Sequence, residues 1–507
     1  MDVNCTVGLR YYGIMWGERV DMDYSHRLLI TLKPDIKRSM KMYLRNRILW
    51  LALAGICTTT GLAGYTLEAR ISRGLDYVAG TVSGQRTAPA MAETDSTGQR
   101  TRQPEAPSSE PSPDYTFSAR IYGPGVDNLS ASDPYARYQW GLRNDGELQY
   151  LEVVNKFRDS NPSLASRIDI ANKLGIPAPV AGPDAYEIET TTSVKGIDIN
   201  IRPAWDLYDS STEEHRPVIV AVLDTGIDLT HPELKDAVWV NEDEIPGDGI
   251  DNDGNGYVDD VNGWNFFDGS SQISGGRDAD HGTHAAGTIA ALRKGLGIAG
   301  IADQKYVKIM PVQVLGTTFG IGEESAVIEA IRYAEANGAS ICNLSFGTEL
   351  YYPNLEQVMR ESQMLFVVSA GNGDSAGNGV NIDEGKLMDY PASFHLPNVI
   401  SVANLMFDGN LAKSSNYGAG SVDIAAPGTY IVSTIAHGGY GFMTGTSMSA
   451  PMVTGVAAMV YSYRKDLSLQ EVRQIILASA RKLEGMEGKL SSGGMLDAYG
   501  ALTYGIP

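Results

Sequence analysis

The 507-residue chain is long enough for about three domains of about 150 residues, or for one large domain with appendages. Its 40 Lys and Arg against 61 Asp and Glu leave a net charge of −21, which argues against nucleic acid or anionic lipid bound through a broad basic face. Three cysteines allow at most one internal disulfide and exclude a disulfide scaffold, and no zinc-type Cys or His cluster is present.

The first elements read as targeting. Lys33, Lys37, Arg38, Lys41, Arg45 and Arg47 form a basic run, followed by the apolar stretch Ile48–Cys57 and then small residues over 58–64. That apolar stretch has the length of a signal h-region and is short for a membrane span. Residues 1–39 therefore read as an extension, non-native or cytoplasmic, ahead of a start at Met40 or Met42. Residues 40–73 read as a signal peptide or membrane anchor. The expected location is outside the cell, secreted or tethered to the outer membrane face. A buried apolar helix in a cytoplasmic extension is the alternative. Residues 81–114 are rich in Ser, Thr, Pro, Gln and Gly and poor in large apolar side chains. They cannot bury enough surface to offset chain entropy, so 74–133 reads as a linker or pro-region. An insertion over about 145–193 carries a helix-like pattern at Leu148, Leu151, Val154 and Phe157 within 147–171. It suits a lid, a docking element or an inhibitory segment.

From about residue 195 the pattern becomes alternating strands and helices. The uninterrupted apolar run Val218–Leu223 fits a strand buried on both faces of a parallel sheet. Val307–Leu315, Ser340–Ser345, Met364–Ala370, Val399–Ala403 and Val422–Ala426 read the same way. Glu323–Asn337 reads as a helix stopped by Gly338, and Leu467–Leu483 as a helix capped by Ser468. The fold class is α/β, a doubly wound and mostly parallel sheet with helices on both faces. Sites in such sheets lie beyond the carboxyl ends of the strands.

Reactive residue types stand where the apolar runs stop. Asp224 ends the first strand; His281 opens an Ala-rich helix; Ser447 opens another. A serine hydroxyl is a poor nucleophile without a base, and an imidazole needs an acceptor on its second nitrogen to fix its tautomer. Asp, His, Ser is one of three known chain orders of that geometry. Asn372, after another apolar run, can donate its amide to an oxyanion, with the backbone N–H of Ser447 as second donor. Separately, 248–260 is an acidic, glycine-rich loop. Its candidate ligands Asp251, Asp253, Asn255, Asp259 and Asp260 resemble the first half of a calcium loop, without a Glu at the twelfth position. The expected cofactor is structural Ca2+, on an insertion over about 241–268. Cys342 lies inside an apolar strand and reads as a small buried hydrophobe.

Five segments in register carry a family resemblance: Val222-Leu-Asp-Thr-Gly-Ile-Asp228 with His231-Pro232, His281-Gly-Thr-His-Ala-Ala-Gly287, Asn343-Leu-Ser-Phe-Gly347, Ser369-Ala-Gly-Asn372 and Gly445-Thr-Ser-Met-Ser-Ala-Pro451. The chain resembles the subtilisin-like serine proteases, the subtilases, from about residue 134 to 507. The resemblance implies a serine endopeptidase acting on protein or peptide substrates through an acyl-enzyme. In it Asp224 orients the base, His281 is the base, Ser447 is the nucleophile and Asn372 completes the oxyanion hole. It also implies that His284 is structural, and that Ser345, Phe346, Gly347, Ala370 and Gly371 bind substrate and wall the pocket for the residue before the cut. A large apolar residue is expected there. A protease or ligase that matures peptides and an inactive, calcium-stabilised binding module are the alternatives. Oligomeric state is not legible.

Overall fold

A computed structural model describes residues 120–122, 135–155, 186–273, 279–293, 296–316, 322–374 and 376–506. The basic run, the apolar stretch and the low-complexity linker lie outside the described residues. Three strands, β1 (Arg120–Tyr122), β2 (Gln149–Asn155) and β3 (Tyr186–Thr192), form a small antiparallel sheet in the order β1-β2-β3. The helix expected over 147–171 is thus replaced, in its described part, by a strand. Tyr150, Val153 and Val154 carry strong β propensity, which outweighs the four apolar positions at helical spacing.

The chain then enters α1 (Ile201–Ser210) and β4 (Val218–Asp224). It continues through β5 (Trp264–Asn265), α2 (Asp280–Ala290), β6 (Val307–Gln313), α3 (Glu324–Ala336), β7 (Ile341–Leu344), α4 (Pro353–Glu361) and β8 (Leu365–Ser369). The remainder is β9 (Val399–Leu405), β10 (Ile424–Pro427), β11 (Ile431–Ile435), β12 (Gly439–Met443), α5 (Thr446–Tyr463), α6 (Leu469–Ala478), β13 (Arg481–Lys482), β14 (Gly494–Met495) and α7 (Ala498–Thr503). The main sheet runs β13-β14-β10-β9-β8-β7-β4-β6-β5 and is parallel except for β13. The strands and helices expected from the apolar runs are therefore present, with ends shifted by a few residues.

Strand β4 shows why the sheet is buried on both faces. Val218, Val220 and Val222 pack into one core with Ile289 of α2 and Val453 and Val456 of α5. Ala221 and Leu223 pack into the opposite core with Val327 and Ile331 of α3 and Met359 of α4. The two-residue side-chain period of a strand produces this division. Each buried Val or Leu contributes about 1.5–3 kcal/mol, which secures the central strand. Residue 311 of β6 is Pro, opposite Val222. Ile309 gives its N–H to Ala237 and Gln313 accepts from Phe266, so the odd residues of β6 face the sheet edge. Pro311 has no N–H to offer there, and it falls between the Val238 bridge and the Trp264 pairing, where the acidic loop leaves the sheet.

Helix α6 begins at the expected cap: the Ser468 hydroxyl accepts from Glu471 N, and the Glu471 carboxylate accepts from Ser468 N. Upstream of β4, residues 139–142 are built into the same body. The Gln139 side chain makes a two-way clamp on the backbone of Ala299, and Trp140, 1% exposed, donates its indole N–H to Thr429 O at 2.8 Å. Among the described residues no helix is long and apolar enough to cross a membrane.

Candidate active site

Parallel strands bring their carboxyl ends to one edge of the sheet. Asp224 is the last residue of β4, Ser345–Gly347 follows β7, and Ala370–Asn372 follows β8. The N-termini of α2 and α5 carry His281 and Ser447 to that edge. Nδ1 of His281 lies 2.8 Å and 3.0 Å from the two carboxylate oxygens of Asp224. Asp224 is fully buried and also accepts from Thr225 N at 2.7 Å. The carboxylate thereby makes Nδ1 the protonated nitrogen and leaves Nε2 as an acceptor. Burial opposes protonation of His281. The charge and hydrogen bond of Asp224 outweigh it, so the imidazole pKa lies above its ordinary value.

The approach of α2 to β4 depends on Gly282. A Cβ there would sit 2.2 Å from Gly226 O and 3.1 Å from the Asp224 Cβ. Any larger residue would push the helix start, and His281 with it, away from the carboxylate. His284 is one turn on and fully buried. Its Nε2 donates to Ile431 O at 2.8 Å, and burial pulls its pKa down to about 4. It is neutral and fixed to β11.

Ser447 stands in the first turn of α5, where helical backbone N–H groups have no intrahelical partner. The side-chain oxygen of Asn372 accepts from Thr446 N at 2.9 Å and from the Thr446 hydroxyl at 3.1 Å. With its oxygen so engaged, Asn372 keeps its NH2 as the group that can donate to a substrate oxygen. Thr446, directly before Ser447, carries no sequence signal of its own for this contact. No hydrogen bond joins the Ser447 hydroxyl to His281 in this structure; such bonds commonly tighten only when substrate docks.

Of the residues expected to bind substrate, Ala370 and Gly371 stand beside Asn372, while Ser345 and Phe346 turn their side chains inward. Phe346 belongs to the core on the α3 and α4 side. The Ser345 hydroxyl is fully buried, donates to Ser447 O at 2.8 Å and accepts from Asn343 Nδ2 at 2.9 Å. Asn343 in turn accepts from the Thr454 hydroxyl. This ladder has a cause in the sequence. In α5 the N–H that would reach Ser447 O belongs to residue 451, which is Pro. Ser345 supplies the missing donor.

In the acidic loop, oxygens of Glu244, Asp251 and Asp253 lie within 4.8 Å of one another. Asp259 instead accepts from the backbone N–H groups of Gly247, Asp248 and Gly249. Asp260 is fully buried and accepts from Asn241, Asn255 and Tyr333. The Asn255 side chain is likewise engaged, with Asp253, Asp260 and Tyr257. Asp251 and Asp253 are thus brought together with Glu244, which joins from outside the expected pattern. These three also take hydrogen bonds from the loop, Glu244 from Asn252 N, Asp253 N and Asp259 N, Asp251 from Asn255 N and Gly256 N, and Asp253 from Asn255 N.

A family model described as the Subtilase family, peptidase S8, matches residues 215–501. The chain belongs to the subtilase family. This subtilase is 33% identical over 306 residues to thermitase of Thermoactinomyces vulgaris, covering 59% of this chain and 92% of that one. It is 35% identical over 306 residues to a thermophilic serine proteinase of Bacillus sp. (strain AK1), covering 59% and 64%, respectively. It is 30% identical over 302 residues to subtilisin-like protease 1 of Plasmodium berghei (strain Anka), covering 57% and 50%. The subtilase thus spans about half to two thirds of the length of the latter two relatives.

Proposed function

We propose that this subtilase is a serine endopeptidase in which Ser447, His281 and Asp224 form the catalytic set. The observation that carries the reading is the hydrogen bond from Nδ1 of His281 to the two carboxylate oxygens of Asp224 at the strand ends, with Ser447 heading the neighbouring helix. The Ser447 hydroxyl attacks the scissile carbonyl and passes its proton to Nε2 of His281. The imidazolium that forms is held by the buried Asp224. The oxygen that becomes negative takes hydrogen bonds from Ser447 N and Nδ2 of Asn372, which Thr446 holds in that orientation. His281 then gives its proton to the departing amine, leaving an acyl-enzyme on Ser447. Water, deprotonated by the same imidazole, releases the acid and restores the hydroxyl. Protein or peptide substrates fit that chemistry, since the reaction needs an acyl carbonyl presented to Ser447.

A structural calcium ion fits Glu244, Asp251 and Asp253, because hard carboxylate oxygens on a loop suit that ion. It would hold the loop and takes no part in the reaction. Export, as a secreted or tethered enzyme, is supported by the basic run and apolar stretch before residue 58.

The test is labelling with a fluorophosphonate followed by peptide mapping, alongside hydrolysis of an unstructured protein. The expected adduct is on Ser447, and Ser447→Ala loses both label and turnover, by more than about 10⁴-fold in rate. A folded chain that resists the probe, or a Ser447→Ala variant that still cleaves, refutes the reading.

A further inference from the structure

The two segments beside Asn372 enclose a third residue that neither the sequence motifs nor the mechanism uses. The segment after β7 is joined to residues 389–391 by a pair of backbone hydrogen bonds, Thr348 N to Tyr390 O and Tyr390 N to Thr348 O, at 2.9 and 2.8 Å. This pairing lays the Asp389 carboxyl across the faces of both glycines. A Cβ on Gly347 would meet its Oδ1 at 2.0 Å, and a Cβ on Gly371 would meet its Oδ2 at 2.1 Å. The carboxyl therefore spans the slot between the segments on either side of the expected pocket.

Its Oδ1 is out of reach of solvent and has no hydrogen-bond partner. Among the described residues no Lys, Arg or His is ion-paired with it. Burial, with the charge of Glu349 adding to it, pushes the carboxyl pKa well above the ordinary value. A buried acid without a counter-charge is costly and is relieved by an incoming cation that also donates hydrogen bonds. A large apolar side chain in the same slot offers the carboxyl no hydrogen-bond donor and leaves it without a partner.

We propose that Asp389 is a specificity-determining residue that selects a basic side chain, Lys or Arg, at the substrate position preceding the cut. This deepens the endopeptidase reading and rests on it. It replaces the large apolar residue expected there.

The test is a set of quenched peptides differing only before the cleaved bond, with Arg, Lys, Gln, Leu or Phe. The expected kcat/KM for Arg or Lys exceeds that for Leu by about 10²-fold or more, the scale on which an unpaired buried polar group discriminates. Asp389→Asn, nearly isosteric, collapses that ratio by a similar factor, and Asp389→Gly shifts preference toward Phe and Leu. A parent enzyme that cleaves after Leu as well as after Arg, or an Asp389→Asn ratio equal to the parent's, overturns the assignment. Ser447 labelling separates the two proposals, since a labelled enzyme without basic preference sinks only this one. If no peptide is cleaved, the dissociation constants of peptides ending in Arg and in Leu decide it by titration, equal values counting against.

Discussion

Replacing Ser345 with Ala isolates the cost of the proline in the nucleophile helix. In the parent, the Ser345 hydroxyl donates to Ser447 O and accepts from Asn343 Nδ2, in fully buried surroundings. Removing the hydroxyl leaves a carbonyl without a donor and an amide N–H without an acceptor. Each orphaned buried group costs about 1–3 kcal/mol, so the expected loss is about 2–6 kcal/mol. At about 2 °C per kcal/mol, the lower end of the range for domains of 150–250 residues, the melting temperature should fall by roughly 4–12 °C. The assay is a denaturant midpoint together with a thermal melt. A second substitution makes the test specific. Pro451→Ala restores the backbone N–H that can reach Ser447 O. It should recover about 1–2 kcal/mol in the Ser345→Ala background and much less in the parent, a coupling readable in a double-mutant cycle. If Ser345→Ala melts with the parent, or if Pro451→Ala shifts both backgrounds equally, the account of the ladder is wrong.

Because His281 must be neutral to accept the Ser447 proton, kcat/KM should rise with pH through a pKa above the ordinary imidazole value near 6.5. Asp224→Asn removes the charge that raises it, so the acidic limb should move to lower pH while the rate drops by about 10⁴-fold; a limb that stays in place contradicts the assignment. The same shift stabilises the fold when His281 is protonated, an effect complete below the unfolded-state pKa and lost as pH rises through the folded value. Gly282→Ala should cut kcat sharply by displacing His281, with the protein still folded by circular dichroism; parental kcat would show that the contact with Gly226 yields. Chelation with EDTA should lower the melting temperature, and Asp253→Asn should weaken the response; an identical melt with and without chelator rules the calcium out.

How far the sequence could be read depended on whether the cause was local. The central strands were legible because a strand buried on both faces must be apolar throughout, as in Val218–Leu223. The helix starts were legible where a cap box or motif marks them, as at Ser468. The strand at Gln149–Asn155 is hard to read because four apolar residues fit helical spacing, and the pairing with residues 186–192 that adds to its β propensity lies far along the chain. Glu244 escaped notice because it stands seven positions ahead of Asp251, and only the fold of the loop returns it. Asp389 has no periodic signal. Its meaning arises from two glycines on other segments, at positions 347 and 371, whose missing side chains admit the carboxyl. The resemblance implies a substrate role for Ser345, but no motif marks what its hydroxyl does, because that hydroxyl answers a proline 106 positions away.

The clamp formed by Gln139 and Trp140 sets a limit on where the chain can be shortened. The family match starts at residue 215, yet a fragment cut there would lose the indole held at Thr429 and uncover Met452, on the helix that presents Ser447. Trimming for expression or crystallisation should therefore spare Gln139 and Trp140.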